Sequence, residues 1–211
     1  MDNKVTFYTN PMSRGRTVHW MLEETGAPYE AKLLSFDKRE HKEPKYLAIN
    51  PMGKVPAIVH RGVVITETPA IITYLADAFS KAKLAPETDS PERGTYYRWM
   101  FFGGLCAEPA IVDKMLGRPP VERTGALSYG TFEDAVNTLE KAVSDKPFLL
   151  GDQFTAADLY LSSNIGFGFM TKILEQRPAF QKYVARCTDR PAYQRVVKQS
   201  EEWVAKLKSG K

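Results

Sequence analysis

The stretch from Asn50 to Ile71 limits what this chain can fold into more than any other. Ala57-Ile58-Val59-His60 and Val63-Val64-Ile65-Thr66 are short β-branched runs separated by Arg61-Gly62. Two residues ending in Gly between two such runs predict a tight hairpin. Ahead of it, Asn50-Pro51-Met52-Gly53-Lys54-Val55-Pro56 reads as a turn that enters the first strand through a Val-Pro bond. Behind it, Glu67-Thr68-Pro69-Ala70-Ile71 reads as the start of a helix. Thr68 is placed to cap that helix, and Pro69 suits its first position, where the missing N–H would have no helical partner. The hairpin therefore brings a strand edge close to a helix N-terminus. A strand edge offers N–H and C=O groups to an extended peptide, and a helix N-terminus offers N–H groups to a carboxylate. Together they predict a grip on a small acidic peptide through its main chain.

The residues before the hairpin place it in a larger unit. Val5-Thr6-Phe7-Tyr8 reads as a strand, Thr9 to Ser13 as a turn, and Ser13 as a possible cap for the helix that follows. Val18, Met21, Leu22 and Thr25 recur at helical spacing until Gly26 ends that helix. Tyr29 to Leu34 is a second strand. A charged loop from Asp37 to Glu43 and a short helical turn around Pro44 to Ala48 precede the hairpin, and a helix from Pro69 to about Phe79 follows it. The order β-α-β-α-β-β-α is that of a thioredoxin-like domain. Its first two strands are expected to be parallel, because a helix crosses between them. The hairpin then adds an antiparallel edge.

Pro86 and Pro91 bracket a stretch with no strand signal, so a boundary is expected there. The expected division is a thioredoxin-like domain over 1–80, a linker over 81–90 and an all-helical domain over 91–211. Glu92 to about Met115 is aromatic-rich and helical until Gly117-Arg118-Pro119-Pro120 interrupts it. Phe132, Val136, Leu139 and Val143 mark another helix, and two more are expected around Phe180–Cys187 and Ala192–Leu207. Thr155-Ala156-Ala157-Asp158 fits the S/T-x-x-acid capping pattern with Phe154 just before it. Its expected role is structural.

With 211 residues, 43% hydrophobic and 26% charged, the composition is that of an ordinary globular protein. A net charge of +4, with basic residues interleaved with acids, argues against nucleic-acid binding. No apolar run reaches the ~18 residues a spanning helix needs, and Met1-Asp2-Asn3-Lys4-Val5 leads into a strand without a secretory apolar segment. Cys106 and Cys187 lie far apart and outside any CxxC, so free thiols and a cytoplasmic location are expected. No metal-ligand spacing is present.

The combination Asn50-Pro-x-Gly-x-Val55-Pro56, then Glu67-Thr68 before an apolar helix, resembles the glutathione-binding half of the cytosolic glutathione transferases. The resemblance covers the whole chain, and Leu149-Leu150-Gly151-Asp152-Gln153-Phe154-Thr155 matches the family's lead-in to its capping box. His41-Lys42-x-Pro44-x-Tyr46-Leu47 is similar to phi-type members. The resemblance is to bacterial, serine-type, phi/theta-like classes, with Thr68 where Ser is usual.

That resemblance implies a transferase acting in detoxification, with glutathione as co-substrate and no other cofactor. It also implies a homodimer and a small hydrophobic electrophile as second substrate. Val55 would make two main-chain hydrogen bonds to the cysteinyl unit, with Pro56 cis to expose the edge. Glu67 and Thr68 would hold the γ-glutamyl end, and His41, Lys42 or Lys54 the glycyl carboxylate. A free thiol titrates near 8.5, and lowering that by about two units takes roughly 2.7 kcal/mol of selective thiolate stabilisation. A hydroxyl donor beside a helix N-terminus supplies energy of that order. Ser13 is the expected donor, Tyr8 and Asn10 are its rivals, and Arg14 would add positive potential. Absence of Cys from the loop argues against the thiol-transfer classes. Tyr96, Trp99, Phe102, Met115 and Phe167 are the pool for the second-substrate pocket. Two other readings use the same architecture. One is glutathione-dependent peroxidase, isomerase or dehalogenase chemistry, and the other is a non-catalytic binding module.

Overall fold

The computed structural model describes residues 3–209; Met1 and Asp2, part of the expected lead-in to the first strand, lie outside them. The chain forms two compact units, Met1–Ala82 with Arg190–Lys211, and Lys83–Asp189.

The first unit holds β1 (Val5–Thr9), α1 (Gly15–Thr25), β2 (Tyr29–Leu33), α2 (Pro44–Leu47), β3 (Ala57–His60), β4 (Val63–Thr66) and α3 (Thr68–Ala78). To these the end of the chain adds α9 (Pro191–Ser209). The sheet runs β2-β1-β3-β4; β1 and β2 are parallel, and the other pairs are antiparallel. Arg61 (φ 52°) and Gly62 (φ 80°) form the hairpin turn with both residues left-handed, the geometry that matches the twist of the flanking strands. Along β1 the side chains alternate. Phe7 faces a cluster of His19, Tyr29 and Trp203, whereas Tyr8 faces Tyr46 of α2.

The last helix therefore belongs to the core of the first unit, although it ends the chain. Trp203 stacks on His19 (4.4 Å between ring centres, 20° between planes). Arg190 makes a two-pronged ion pair with Glu24, both contacts 2.7 Å, and Trp20 donates to the same carboxylate at 2.9 Å.

The second unit is helical: α4 (Glu92–Phe102), a π-helical segment (Gly103–Ala107), α5 (Glu108–Met115), α6 (Phe132–Ser144), α7 (Ala156–Met170) and α8 (Pro178–Thr188). Gly103 sits where a Cβ would come within 2.7 Å of the Tyr160 ring, so α4 and α7 approach closely there. Thr155 and Asp158 form the capping box of α7. The Asp158 carboxylate is fully buried and does more than cap. It accepts from Thr155 N–H (2.9 Å), the Thr155 hydroxyl (2.9 Å), Leu149 N–H (2.8 Å) and the Tyr183 hydroxyl (2.8 Å).

Candidate functional site

The strand register brings four connections to one end of the sheet. Tyr8 lies opposite Ala57, Ala57 opposite Thr66, and Thr9 beside Leu33. The loop leaving β1, the turn entering β3, the start of α3 and the loop leaving β2 therefore share that end. They carry Ser13, Val55, Glu67-Thr68 and His41-Lys42 respectively. These are residues far apart in sequence, and antiparallel and parallel pairing alone makes them neighbours.

Two of these connections are built alike. In Asn10-Pro11-Met12 and in Asn50-Pro51-Met52 a buried Asn accepts from the Met N–H, at 2.8 Å and 3.1 Å. The Asn10 amide also donates to Leu34 C=O (2.7 Å), tying the β1 loop to the β2 loop. The Asn50 amide donates to Lys54 C=O (2.9 Å). Asn side chains favour such turns because they imitate a backbone turn.

Ser13 is half-buried between the first turn and α1. Its hydroxyl donates to Asn10 C=O at 2.6 Å and accepts from Gly15 N–H at 3.0 Å. The cap position itself falls to Arg14, which is helical in conformation (φ −60°, ψ −8°) and caps nothing with its side chain. The expected N-cap is thus displaced by one residue, because the first turn closes with three-residue spacing: Arg16 N–H to Ser13 C=O and Thr17 N–H to Arg14 C=O. The Tyr8 ring lies 5.7 Å from that of Tyr46, on the sheet face that α2 covers.

The Val55–Pro56 peptide is cis. Just before it, the Lys54 carbonyl takes two donors, the Tyr46 hydroxyl (2.5 Å) and the Asn50 amide. Burial pushes the Tyr46 phenol up to about 12, so it keeps its proton and remains a donor at neutral pH. Lys42 Nζ donates to Met52 C=O (2.9 Å), holding the β2 loop to the same turn. Gly53 (φ 58°) is required twice here. Its backbone is left-handed, and a Cβ would stand 2.7 Å from Lys42 Nζ and 2.8 Å from His41 C=O. His41 packs edge-on to Phe36, and its Nδ1 is buried without a hydrogen-bond partner. The Lys54 side chain is exposed.

At the start of α3 the cap position is Glu67, so Thr68 is the first helical residue and Pro69 the second. This shifts the expected cap by one residue. Glu67 holds φ 66°, ψ 118°, a region that costs a non-glycine residue on the order of 1–3 kcal/mol and recurs at ligand clamps. No side chain caps the first N–H groups of α3, which are therefore left available to an acceptor from outside the helix.

In the helical unit, Tyr96 and Trp99 are buried, Phe102 and Phe167 half-buried, and Met115 39% exposed at the end of α5. Among the described residues no His, Cys, Asp or Glu cluster suits a metal ion, and no helix is long and apolar enough to cross a membrane. Cys106 and Cys187 are free thiols. Sequence reasoning passed over the two clamps on the Lys54 carbonyl. The repeated Asn-Pro-Met was the available signal for one of them; Tyr46, eight residues upstream, gave none.

Comparison with known proteins agrees with this geometry. The glutathione S-transferase N-terminal domain model matches residues 3–77, and the glutathione S-transferase C-terminal domain model matches residues 122–186, between them more than half of the chain. Glutathione S-transferase 3 of Schizosaccharomyces pombe is 28% identical over 200 residues, 85% of this chain and 81% of that protein. The structure of the Phanerochaete chrysosporium glutathione transferase URE2P6 with oxidized glutathione is 27% identical. It aligns with a TM-score of 0.79 over 94% of this chain and 97% of its own. A Sulfitobacter glutathione transferase homologue with bound glutathione is 26% identical and aligns at 0.76 over 94% and 99%. A thioredoxin-like sheet followed by helices, these site-bearing turns and both family matches lead to one conclusion: the chain belongs to the glutathione S-transferase family.

Proposed function

We propose that the chain binds glutathione along the Val55 edge, holds it as the thiolate beside Ser13, and transfers it to a small hydrophobic electrophile. The observation that carries this reading is the shared sheet end, where Ser13, Val55 and Glu67-Thr68 converge. The two solved relatives with glutathione in their structures support it. Val55 N–H and C=O pair with the cysteinyl unit. The uncapped start of α3, with the Thr68 hydroxyl, takes the γ-glutamyl carboxylate, and Glu67 its ammonium. His41, Lys42 and Lys54 surround the glycyl carboxylate, and Arg14 adds positive potential near the sulfur. Ser13 keeps accepting from Gly15 N–H while its own proton swings from Asn10 C=O to the sulfur, so one oxygen serves both contacts. The thiolate then attacks an electrophilic carbon. In substitution the leaving group departs with its electron pair; in addition the neighbouring atom takes up a proton.

The boundary proposed between residues 80 and 91 is supported by the start of the second compact unit at Lys83, whereas residues 190–211 of the expected helical domain group with the first unit. The second substrate is assigned to the half-buried and exposed members of the aromatic pool, Phe102, Met115 and Phe167. A homodimer is supported by Tyr97, Phe101 and Leu105, large apolar side chains exposed at helical spacing. A cytoplasmic location accords with the free thiols.

Ser13→Ala tests the thiol assignment. The variant folds as the parent, raises the apparent pKa of bound glutathione in a thiolate absorbance titration, and lowers kcat about thirtyfold, equivalent to roughly 2 kcal/mol. An unchanged titration would move the role to Tyr8. Tyr46→Phe tests the clamp on Lys54. Losing one neutral donor costs about 1 kcal/mol, which is expected as roughly a fivefold higher KM for glutathione with kcat unchanged. A kcat loss with KM intact would place Tyr46 in the chemistry instead.

A further inference from the structure

Behind Ser13 stands a second hydroxyl. Thr9 ends β1 on the same strand face as Val5 and Phe7, and it is only 1% exposed. Its backbone is fixed to the neighbouring loop, since Leu34 N–H donates to Thr9 C=O at 2.9 Å. Its Oγ1 is buried with no hydrogen-bond partner among the described residues. A buried hydroxyl in that state costs stability, so its retention calls for a reason. The oxygen faces the first residue of α1. A Cβ on Gly15 would stand 2.0 Å from Thr9 Oγ1 and 3.0 Å from Ser13 Oγ. The two oxygens thus flank one point and lie no more than about 5 Å apart, a gap that rotation about one side-chain bond closes. Gly15 is not among the left-handed glycines, and glycine is a costly residue within a helix. What it provides here is room between the two hydroxyls.

We infer that Thr9 is a positioning residue for the thiol chemistry: its hydroxyl donates to Ser13 Oγ when the Ser13 proton turns to the glutathione sulfur. The role rests on the reading of Ser13 as that sulfur's donor. Ser13 Oγ has a lone pair to spare. It accepts once, from Gly15 N–H, and donates once, to Asn10 C=O, whereas a hydroxyl oxygen can accept twice. A second donor into Ser13 Oγ polarises its O–H, and bonds in such a chain strengthen one another away from bulk water. The gain is largest toward a charged acceptor, so it favours thiolate over thiol. The Thr9 hydroxyl is itself relieved only in that arrangement, which ties the removal of an unpaired buried group to the reactive state.

The test is the thiolate absorbance titration of glutathione bound to the full chain. Thr9→Val removes the hydroxyl at nearly constant shape, and Thr9→Ala does so with no risk of overpacking against Gly15. Both are expected to raise the apparent pKa of bound glutathione by about 0.5, roughly a threefold smaller thiolate fraction below that pKa, with KM for glutathione unchanged. Thr9→Ser should restore the parent titration. Thr9→Val should melt no lower than the parent, because the group removed has no partner to lose. In a Ser13→Ala background Thr9→Val should add nothing, because the oxygen it serves is gone. Parent-like titrations in both Thr9 variants, with Ser13→Ala still raising the pKa, would overturn the role of Thr9 and leave that of Ser13 standing. The same rise with and without Ser13 would also overturn it, since Thr9 would then act by another route. A lower melting temperature with an unmoved titration would make the hydroxyl a structural group. An unchanged titration in Ser13→Ala alone would overturn the thiol assignment itself, and the role of Thr9 with it.

Discussion

Asp158→Ala is expected to lower the unfolding free energy by about 4 kcal/mol, the upper range for a single substitution. Capping alone is worth about 1 kcal/mol, and the excess comes from what else the carboxylate serves. With Asp158 gone, Leu149 N–H, Thr155 N–H and the Tyr183 hydroxyl lose their acceptor among buried side chains. Each buried donor left unsatisfied costs about 1–3 kcal/mol. Burial raises the Asp158 carboxyl above its usual range, and its four donors oppose that shift; Tyr183 is raised well above the normal phenol range by its own burial and stays a donor. Urea denaturation measures the loss, with the slope checked to confirm a two-state transition. The thiolate titration of bound glutathione should be unaltered in whatever fraction remains folded. A cost near 1 kcal/mol would mean that Asp158 is only a cap.

The second large effect is a loss of stability in mild acid, controlled by His19. This ring is fully buried against Trp203, with Nε2 at 2.9 Å from the Tyr29 hydroxyl and 2.8 Å from Gln199 Oε1. Gln199 Oε1 can only accept, so the proton resides on Nε2. Nδ1 is buried with no partner. Charging the ring would bury a second N–H with nothing to receive it. Burial accordingly lowers the His19 pKa from 6.5 to about 4, against the Gln199 hydrogen bond and the Glu23 carboxylate, which raise it; Arg16 lowers it further.

Because the folded value is depressed, the unfolded chain binds the extra proton first. Stability from this group is complete above pH 6.5, falls as pH drops through the window to about 4, and is then level. The full span is about 3 kcal/mol, of which about 2 kcal/mol has been lost by pH 5. His19→Gln keeps a polar group facing Gln199 and Tyr29 but cannot titrate. Its unfolding free energy, compared with the parent at pH 7.5 and pH 5, should lack that decrement. Equal decrements in both proteins would assign the acid sensitivity elsewhere. Since Trp203 covers the ring, the parent's α9 should also lose hydrogen-exchange protection first as the pH falls.

Local signals in the chain carried the first unit a long way. Arg61-Gly62 between two β-branched runs could form little but a tight hairpin. A helix between two strands required a crossover and hence parallel pairing, which β1 and β2 show. Thr155-x-x-Asp158 marked the start of α7. The two shifted caps, Arg14 for Ser13 and Glu67 for Thr68, show the limit of such signals. A hydroxyl residue near a helix start is visible in sequence, but the residue that takes the cap depends on where the preceding strand releases the backbone.

The sequence by itself determined which segments become strands and helices, where turns fall, and which residue types are on hand for thiol chemistry. These follow from short-range sterics and periodicity, which each stretch carries within a few residues. Tertiary structure alone decided three things. It folded the last helix back onto α1 through Arg190–Glu24 and the Trp203–His19 stack. It placed a Tyr46 hydroxyl on the Lys54 carbonyl, and it turned Asp158 from a cap into the acceptor for Leu149 and Tyr183. Each joins residues through burial and long-range hydrogen bonds, whose energy exists only once distant segments have excluded water together.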